Sequence, residues 1–137
     1  MRVDAAVDLR WSGEGLLFHG GAPDAPGLAL DGNGRAAPSP VQAFILSLAA
    51  CTAADVVETV HKMRLPLASL SVRVEGERAP EPPRRFLRLR VIYEAGGLPG
   101  EAEAKLRRAI ALSQEKYCSV LHSLREDVEL STDVVLR

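Results

Sequence analysis

The feature that most constrains the fold is a long segment free of glycine and proline, which begins after Pro40 and continues to about Met63. Ser39 and Pro40 form a typical helix start, because a hydroxyl side chain caps the helix and the missing N–H of proline costs nothing at the first helical position. Pro66 ends the segment from beyond its last turn. The sequence therefore predicts one helix over about residues 40–63.

The composition of this segment predicts where the helix lies. Its first half, residues 41–51, is apolar on nearly every side, which is typical of a buried central helix. Its second half becomes amphipathic, with Asp55 and Glu58 entering the pattern. The longest apolar run, residues 43–54, is too short to span a bilayer, so we expect no membrane association. Cys51 lies in the middle of this apolar setting.

Short strands are predicted on both sides of the helix. Three Gly-punctuated strands precede it, and two longer alternating strands follow it. Two shorter helices come next, the first opening near Pro99, and a terminal strand closes the chain. The order βββ-α-ββ-α-α-β predicts one α+β domain over residues 1–137, with the long helix packed on an antiparallel sheet. The predicted strands are 7–11, 16–19, 27–30, 70–75, 85–93 and 128–136.

Composition excludes several classes of partner. A chain of 137 residues is about one domain, and its net charge of -1 comes without any long basic block. Nucleic acids and anionic membranes are therefore not expected as partners. The first residues show neither an apolar run nor a cleavage site of the signal-peptide kind, so we expect a cytoplasmic protein.

The two cysteines, Cys51 and Cys118, are the candidate functional residues. They lie too far apart in sequence for a CxxC motif, and the cytoplasm keeps thiols reduced. They are therefore either inert small apolar residues or a pair that meets in space. His122 lies four residues after Cys118, but no third or fourth ligand completes a metal site, so the sequence predicts no metal and no cofactor.

Two segments resemble the motifs of a known family. Ser39–Thr52 resembles the segment in which a proline-started central helix carries a reactive cysteine, and Lys116–Val120 resembles the segment that carries its partner cysteine. Both of the motifs that they resemble are those of the osmotically inducible protein C and organic hydroperoxide resistance family (OsmC/Ohr). The order of elements also matches, so the resemblance covers nearly the whole chain. It is closest to the less characterised OsmC-like branch.

The resemblance implies a fold, an assembly and a reaction. Family members are intertwined homodimers that reduce organic hydroperoxides in oxidative-stress defence. By this resemblance Cys51 is the attacking thiolate, which becomes a sulfenic acid. Cys118 is the resolving thiol that condenses with it to a disulfide, and an external dithiol reductant restores both.

The chain departs from the family pattern at two positions that activate the thiolate. The family arginine in the first strand turn is absent from the turn around Glu14, and Val41 stands where the family has a glutamate. Since a buried thiol needs a nearby cation or donors to ionise, the activating group is left open. Arg10 is the arginine nearest in sequence. Gln42 is either a donor to a peroxide or a surface amide.

An alternative function therefore remains. A non-catalytic dimer of the same fold, acting as a redox sensor or as a binder of a small apolar molecule, would keep the cysteines without fast turnover. An assay of peroxide consumption distinguishes this alternative from a peroxidase function.

Overall fold

The computed structural model describes all residues, Met1–Arg137. Its element order confirms the predicted βββ-α-ββ-α-α-β arrangement and the α+β class. A 3-10 turn, Gly100–Ala102, precedes the second helix, and a π-helical turn, Ser113–Tyr117, follows it. The elements are β1 Asp8–Trp11, β2 Leu17–Gly21, β3 Leu28–Asp31, α1 Pro40–Lys62, β4 Ser69–Arg78, β5 Phe86–Gly96, α2 Glu103–Leu112, α3 Ser119–His122 and β6 Glu129–Leu136.

The chain divides into two compact units, Met1–Phe44 and Ile45–Arg137. The first unit is a three-stranded antiparallel sheet in the order β1-β2-β3, followed by the first residues of α1. The turn between β1 and β2 contains Gly13 and Gly15, which adopt φ values of 88° and 51° that glycine reaches without a Cβ clash. Asp31 is the one buried residue of this unit.

Asp31 organises the loop that follows β3. Its carboxylate accepts hydrogen bonds from the backbone N–H groups of Asn33, Arg35 and Ala36 at 2.9, 3.1 and 2.9 Å. The bond from Ala36 is the largest of the effects that lower the pKa of the Asp31 carboxyl, and the bond from Asn33 acts in the same direction. The loop before α1 is therefore held by a carboxylate rather than by apolar packing.

Helix α1 begins with a reciprocal cap. Ser39 Oγ accepts a hydrogen bond from the Gln42 backbone N–H at 3.1 Å, and Gln42 Oε1 accepts one from the Ser39 backbone N–H at 2.9 Å. This is the Ser-x-x-Gln capping box, which satisfies two backbone donors of the helix start. Gln42 is therefore a capping residue of α1.

Within the second unit, α1 is buried along one face rather than all round. Leu48, Thr52, Val56 and Val60 recur every four residues and are all buried, whereas the residues between them, except the buried Ala49, are partly or fully exposed. Spacing of four places them in one stripe along the helix. The sequence predicts that the first half of the helix is buried on nearly every side, whereas the structure buries α1 mainly along this stripe.

The second unit contains a mixed sheet in the order β4-β5-β6. Strands β4 and β5 are antiparallel, as predicted, but β6 pairs with β5 in parallel, with Arg88 opposite Glu129 and Ala95 opposite Leu136. The sheet is thus not antiparallel throughout. The physical reason is the helical connection through α2 and α3, which returns the chain to the β5 edge in the same direction, as parallel pairs require.

The hydrophobic core lies in this second unit. It is formed by the buried stripe of α1, the inward face of β5 and one face of α2. Burying one leucine or valine of this kind stabilises the fold by about 1.5–3 kcal/mol. The core members on these elements are Leu48, Val56, Val60, Leu89, Val91, Tyr93, Ala95, Leu106, Ala109 and Ile110.

By length and composition alone, α1 is able to cross a bilayer, since its 23 residues include an 18-residue window of mean hydropathy 1.7. This window is longer than the apolar run of residues 43–54 on which the sequence expectation rested. The core helices of globular proteins pass the same test, and α1 supplies a stripe of buried residues to the core of the second unit.

Candidate functional site

Two candidate residues come from the same face of α1. Cys51 and Asp55 are four residues apart on the helix, so their side chains are neighbours one turn apart. Both are half-buried. In the sequence, Asp55 is recognisable only as the start of the polar half of the helix, although its spacing of four residues from Cys51 places the two side chains together.

Cys118 is held by an unusual change in helix geometry. Helix α2 runs into the π-helical turn Ser113–Tyr117, and Cys118 follows it with an extended backbone, φ -72° and ψ 99°. Single π-helical turns are rare in proteins as a whole, but those that occur often lie at functional sites. The Cys118 Sγ then caps α3 by accepting a hydrogen bond from the Leu121 backbone N–H at 3.4 Å. The helical course of the chain is thus interrupted at this cysteine.

The structure brings the two cysteines together. The Sγ atoms of Cys51 and Cys118 and a carboxylate oxygen of Asp55 all lie within 4.8 Å of one another. Both thiols are free. Cys118 is 0% exposed, whereas Cys51 is partly exposed, so a molecule from solvent reaches Cys51 first.

The surroundings keep Cys118 protonated. Burial raises the pKa of its thiol to about 11, and the neighbouring Cys51 and Asp55 act in the same direction. The Leu121 N–H opposes this shift but does not cancel it. At neutral pH, Cys118 is therefore a neutral thiol, since a buried thiolate beside other acidic groups is poorly stabilised.

A buried chain of hydroxyl groups leads to Asp55. The Ser113 hydroxyl donates to Asp55 Oδ2 at 2.8 Å, and Ser113 Oγ lies 2.9 Å from Thr52 Oγ1. Thr52 Oγ1 lies 2.6 Å from the Tyr93 hydroxyl, and Gln114 Nε2 donates to that hydroxyl at 3.2 Å.

The direction of this chain follows from counting hydrogens. Each hydroxyl has one hydrogen. Since the Ser113 hydrogen goes to Asp55, Ser113 accepts from Thr52, and Thr52 in turn accepts from Tyr93. Every donor in the chain therefore points toward Asp55. Burial raises the pKa of the Tyr93 phenol, so Tyr93 remains a donor at neutral pH.

The remaining sequence candidates lie elsewhere. His122 is exposed and is not part of the Cys51, Asp55 and Cys118 group. Arg10 is exposed on β1 in the first unit, and Gln42 is engaged in the helix cap. The third ionisable side chain near the two cysteines is therefore the carboxylate of Asp55.

The fold and the site define a class: a small α+β protein in which a central helix and a following helical segment bring two free cysteines together. The chain belongs to the OsmC-like protein family, whose family model matches residues 31–133. The resemblance seen in the sequence is thereby confirmed.

Particular relatives agree with this assignment. Protein YhfA of Escherichia coli K12 is 34% identical over 124 residues, covering 90% of this chain and 91% of that protein. A hypothetical protein from Aquifex aeolicus VF5 has a TM-score of 0.83 at 24% identity, covering 100% of this chain and 98% of its own. An organic hydroperoxide resistance protein from Legionella pneumophila has a TM-score of 0.65 at 20% identity, with 97% of each chain covered. The last two likenesses show the shared fold.

Proposed function

We propose that this protein reduces organic hydroperoxides with Cys51 as the attacking thiolate and Cys118 as the resolving thiol. The observation that carries the proposal is the separation of at most 4.8 Å between the two Sγ atoms. The relation to proteins described as organic hydroperoxide resistance proteins supports the same reaction class. An apolar hydroperoxide suits the apolar helix that surrounds Cys51.

The chemistry balances over three steps. The Cys51 thiolate attacks the terminal peroxide oxygen, the O–O bond breaks, and an alcohol leaves once its oxygen is protonated. Cys51 is then a sulfenic acid. Cys118 forms a disulfide with that sulfur and water leaves. An external dithiol reduces the disulfide and is itself oxidised.

The two cysteines differ in ways that suit these roles. Cys51 is the partly exposed thiol, so it meets the peroxide, and Cys118 is buried behind it. The pKa of Cys118, raised to about 11, keeps this thiol protonated and weakly nucleophilic at neutral pH. Premature oxidation of Cys118 is thus disfavoured.

A second function is favoured by one observation. The ionisable side chain beside the thiols is the carboxylate of Asp55 and not a cation. The family arginine and glutamate have no match in the turn around Glu14 and at Val41. Slow oxidation of Cys51 suits a redox sensor better than a rapid peroxidase. The same fold with no turnover would also suit a binder of small apolar molecules.

We further propose that the protein is a homodimer. Large apolar side chains of the first unit, among them Leu9, Trp11 and Leu28, are exposed. Such residues normally mark an interface when they cluster. The single domain over residues 1–137 and the cytoplasmic location stay predictions.

The experiment is peroxide consumption with cumene hydroperoxide and dithiothreitol, using metal-free wild type, Cys51→Ser and Cys118→Ser. We expect wild type to consume peroxide and Cys51→Ser to lose at least about 100-fold in rate, because the nucleophile is removed. If wild type consumes peroxide no faster than Cys51→Ser does, the peroxidase function is ruled out, and the redox sensor or the binder of small apolar molecules remains.

Mass spectrometry after one equivalent of hydroperoxide, without dithiothreitol, tests the pairing. Wild type should contain a Cys51–Cys118 disulfide. Cys118→Ser should instead accumulate a sulfenic acid at Cys51, which dimedone traps. A dimedone adduct on Cys118 in Cys51→Ser at a comparable rate would reverse the assigned roles.

A further inference from the structure

We propose that Cys51, Asp55 and Cys118 form a binding site for a thiophilic divalent cation of the zinc class. We further infer that this site is lost when the two cysteines form a disulfide. Cation binding stands independently of the peroxidase activity, whereas the loss on oxidation rests on the proposed pairing of the cysteines.

The geometry of the three donor atoms suits such an ion. In a tetrahedral zinc site the thiolate sulfurs lie about 2.3 Å from the metal and hence about 3.8 Å from each other. Here the two Sγ atoms and the Asp55 oxygen are already within 4.8 Å of one another. Adjusting the group to a metal therefore requires movements of about 1 Å or less. Three protein ligands leave the fourth position for water.

The arrangement along the chain also resembles a ligand set. Cys51 and Asp55 are one turn apart on α1, a rigid element that holds two donors on one face. Cys118 is presented from a second element by the π-helical turn. Ligands on two separate elements are thus positioned before any ion binds.

The charge balance favours a cation. When all three groups are deprotonated, they carry three negative charges on donor atoms that lie within 4.8 Å of one another. A divalent cation offsets two of these charges and stabilises both thiolates directly.

Groups behind the site orient the carboxylate. Ser113 donates to Asp55 Oδ2 at 2.8 Å, and Ser113 is itself fixed by the buried Thr52 and Tyr93. Hydrogen bonds from such outer groups hold metal-binding carboxylates in place and strengthen metal affinity.

The binding step involves no redox change. Two S–H bonds break, two metal–sulfur bonds form, and two protons pass to the solvent. Oxidation by an organic hydroperoxide instead takes two electrons from the same sulfurs, forms the S–S bond, and yields an alcohol and water. The cation loses both thiolate ligands and is released, so occupancy and disulfide exclude each other.

The test is a titration of reduced, chelator-treated protein with Co²⁺ under anaerobic conditions, followed by displacement with Zn²⁺. We expect thiolate-to-cobalt charge-transfer absorption that saturates at one ion per chain. Cys51→Ser and Cys118→Ser should each weaken binding at least about 100-fold, and Asp55→Asn about 10- to 100-fold. Glu58→Gln, an exposed carboxylate on the same helix, is the matched control and should bind as wild type does.

Two outcomes overturn the proposal. Cobalt binding without charge-transfer absorption, or equal affinity in the Cys51→Ser/Cys118→Ser double variant, removes the site, provided that circular dichroism shows a folded variant. Undiminished binding to the disulfide form removes the mutual exclusion. Metal-free protein that binds cobalt but consumes no peroxide keeps the cation site and rejects the peroxidase, and the converse result rejects only the cation site.

Discussion

The two units of this protein are built from similar short strands but are stabilised differently. In the first unit, Met1–Phe44, Asp31 is the one buried residue, and many of the unit's large apolar side chains are exposed. In the second unit, Ile45–Arg137, apolar side chains from α1, β5 and α2 form a closed core. The exposed large apolar residues of the first unit are Met1, Val3, Val7, Leu9, Trp11, Leu16, Leu28 and Phe44.

The difference shows that the hydrophobic core and the candidate site lie in the same unit. A three-stranded sheet without a covered face is marginal in water, so the first unit depends on surfaces beyond its own side chains. The second unit has a core, and the two thiols lie beside it. The proposed dimer would supply a cover for the first unit, whereas the reactive group lies within the second.

The largest effect is expected from truncating the core. Leu106 is 0% exposed, so Leu106→Ala should lower the free energy of unfolding by about 2–5 kcal/mol through lost burial and a residual cavity. Leu28, which is 57% exposed on β3, is the matched control, and Leu28→Ala should cost less than about 0.5 kcal/mol in dilute protein. Urea unfolding measures both free-energy losses. Equal losses would show that apolar burial does not distinguish the two units.

Removing a buried hydroxyl should have the next largest effect. Thr52→Val leaves the Tyr93 and Ser113 hydroxyls without their shared partner, which should cost about 1–3 kcal/mol. Thr52→Ser keeps the hydroxyl and should retain most of the stability. Thermal unfolding of the two variants compares them directly, and a Thr52→Val protein as stable as wild type would show that the hydroxyl chain is not needed for the fold.

The exposed face of the first unit should matter for assembly rather than for folding. Trp11 is 61% exposed, and Trp11→Ala should weaken the proposed dimer about tenfold, or about 1.4 kcal/mol. Asp8→Asn on the same strand should leave the affinity unchanged. Sedimentation equilibrium gives both constants, and a monomeric wild type at high concentration would contradict the proposed cover.

The smallest effect concerns Asp31 and depends on pH. Because hydrogen bonds, led by that from Ala36, lower the pKa of this carboxyl below 3.8, its contribution is present above that pH and is lost as the pH falls through the lowered value. Asp31→Ala should therefore speed hydrogen exchange of the Asn33, Arg35 and Ala36 amides at neutral pH. The gap to wild type should close in acid, whereas Asp4→Ala, on an exposed residue, should change neither.

Much of the fold was accessible from the sequence because local signals agree with the final structure. The capped start at Ser39 and Pro40 and the absence of breakers predicted α1 to within a residue or so of its observed end at Lys62. The alternating strands and the order of elements were also predicted. The parallel pairing of β6 was not, because strand direction depends on the path of the connection and not on the pattern within the strand.

The site was predictable only in part. Cys51 and Cys118 stood out through their motifs, but Asp55 looked like an ordinary polar helix residue, and the hydroxyl chain behind it joins residues from three separate elements. Nothing in the spacing of Thr52, Tyr93 and Ser113 along the chain shows that they touch. Such contacts arise only when distant elements pack.

By itself, the sequence determined which segments become helix or strand and which two sulfurs are available, since caps, periodicity and residue type act over a few neighbouring positions. The tertiary structure alone decided that the sulfurs meet beside a carboxylate and that one of them is sealed from solvent. Distances and desolvation between remote residues depend on packing, and for a thiol they set whether it is ionised, oxidised or bound to a metal.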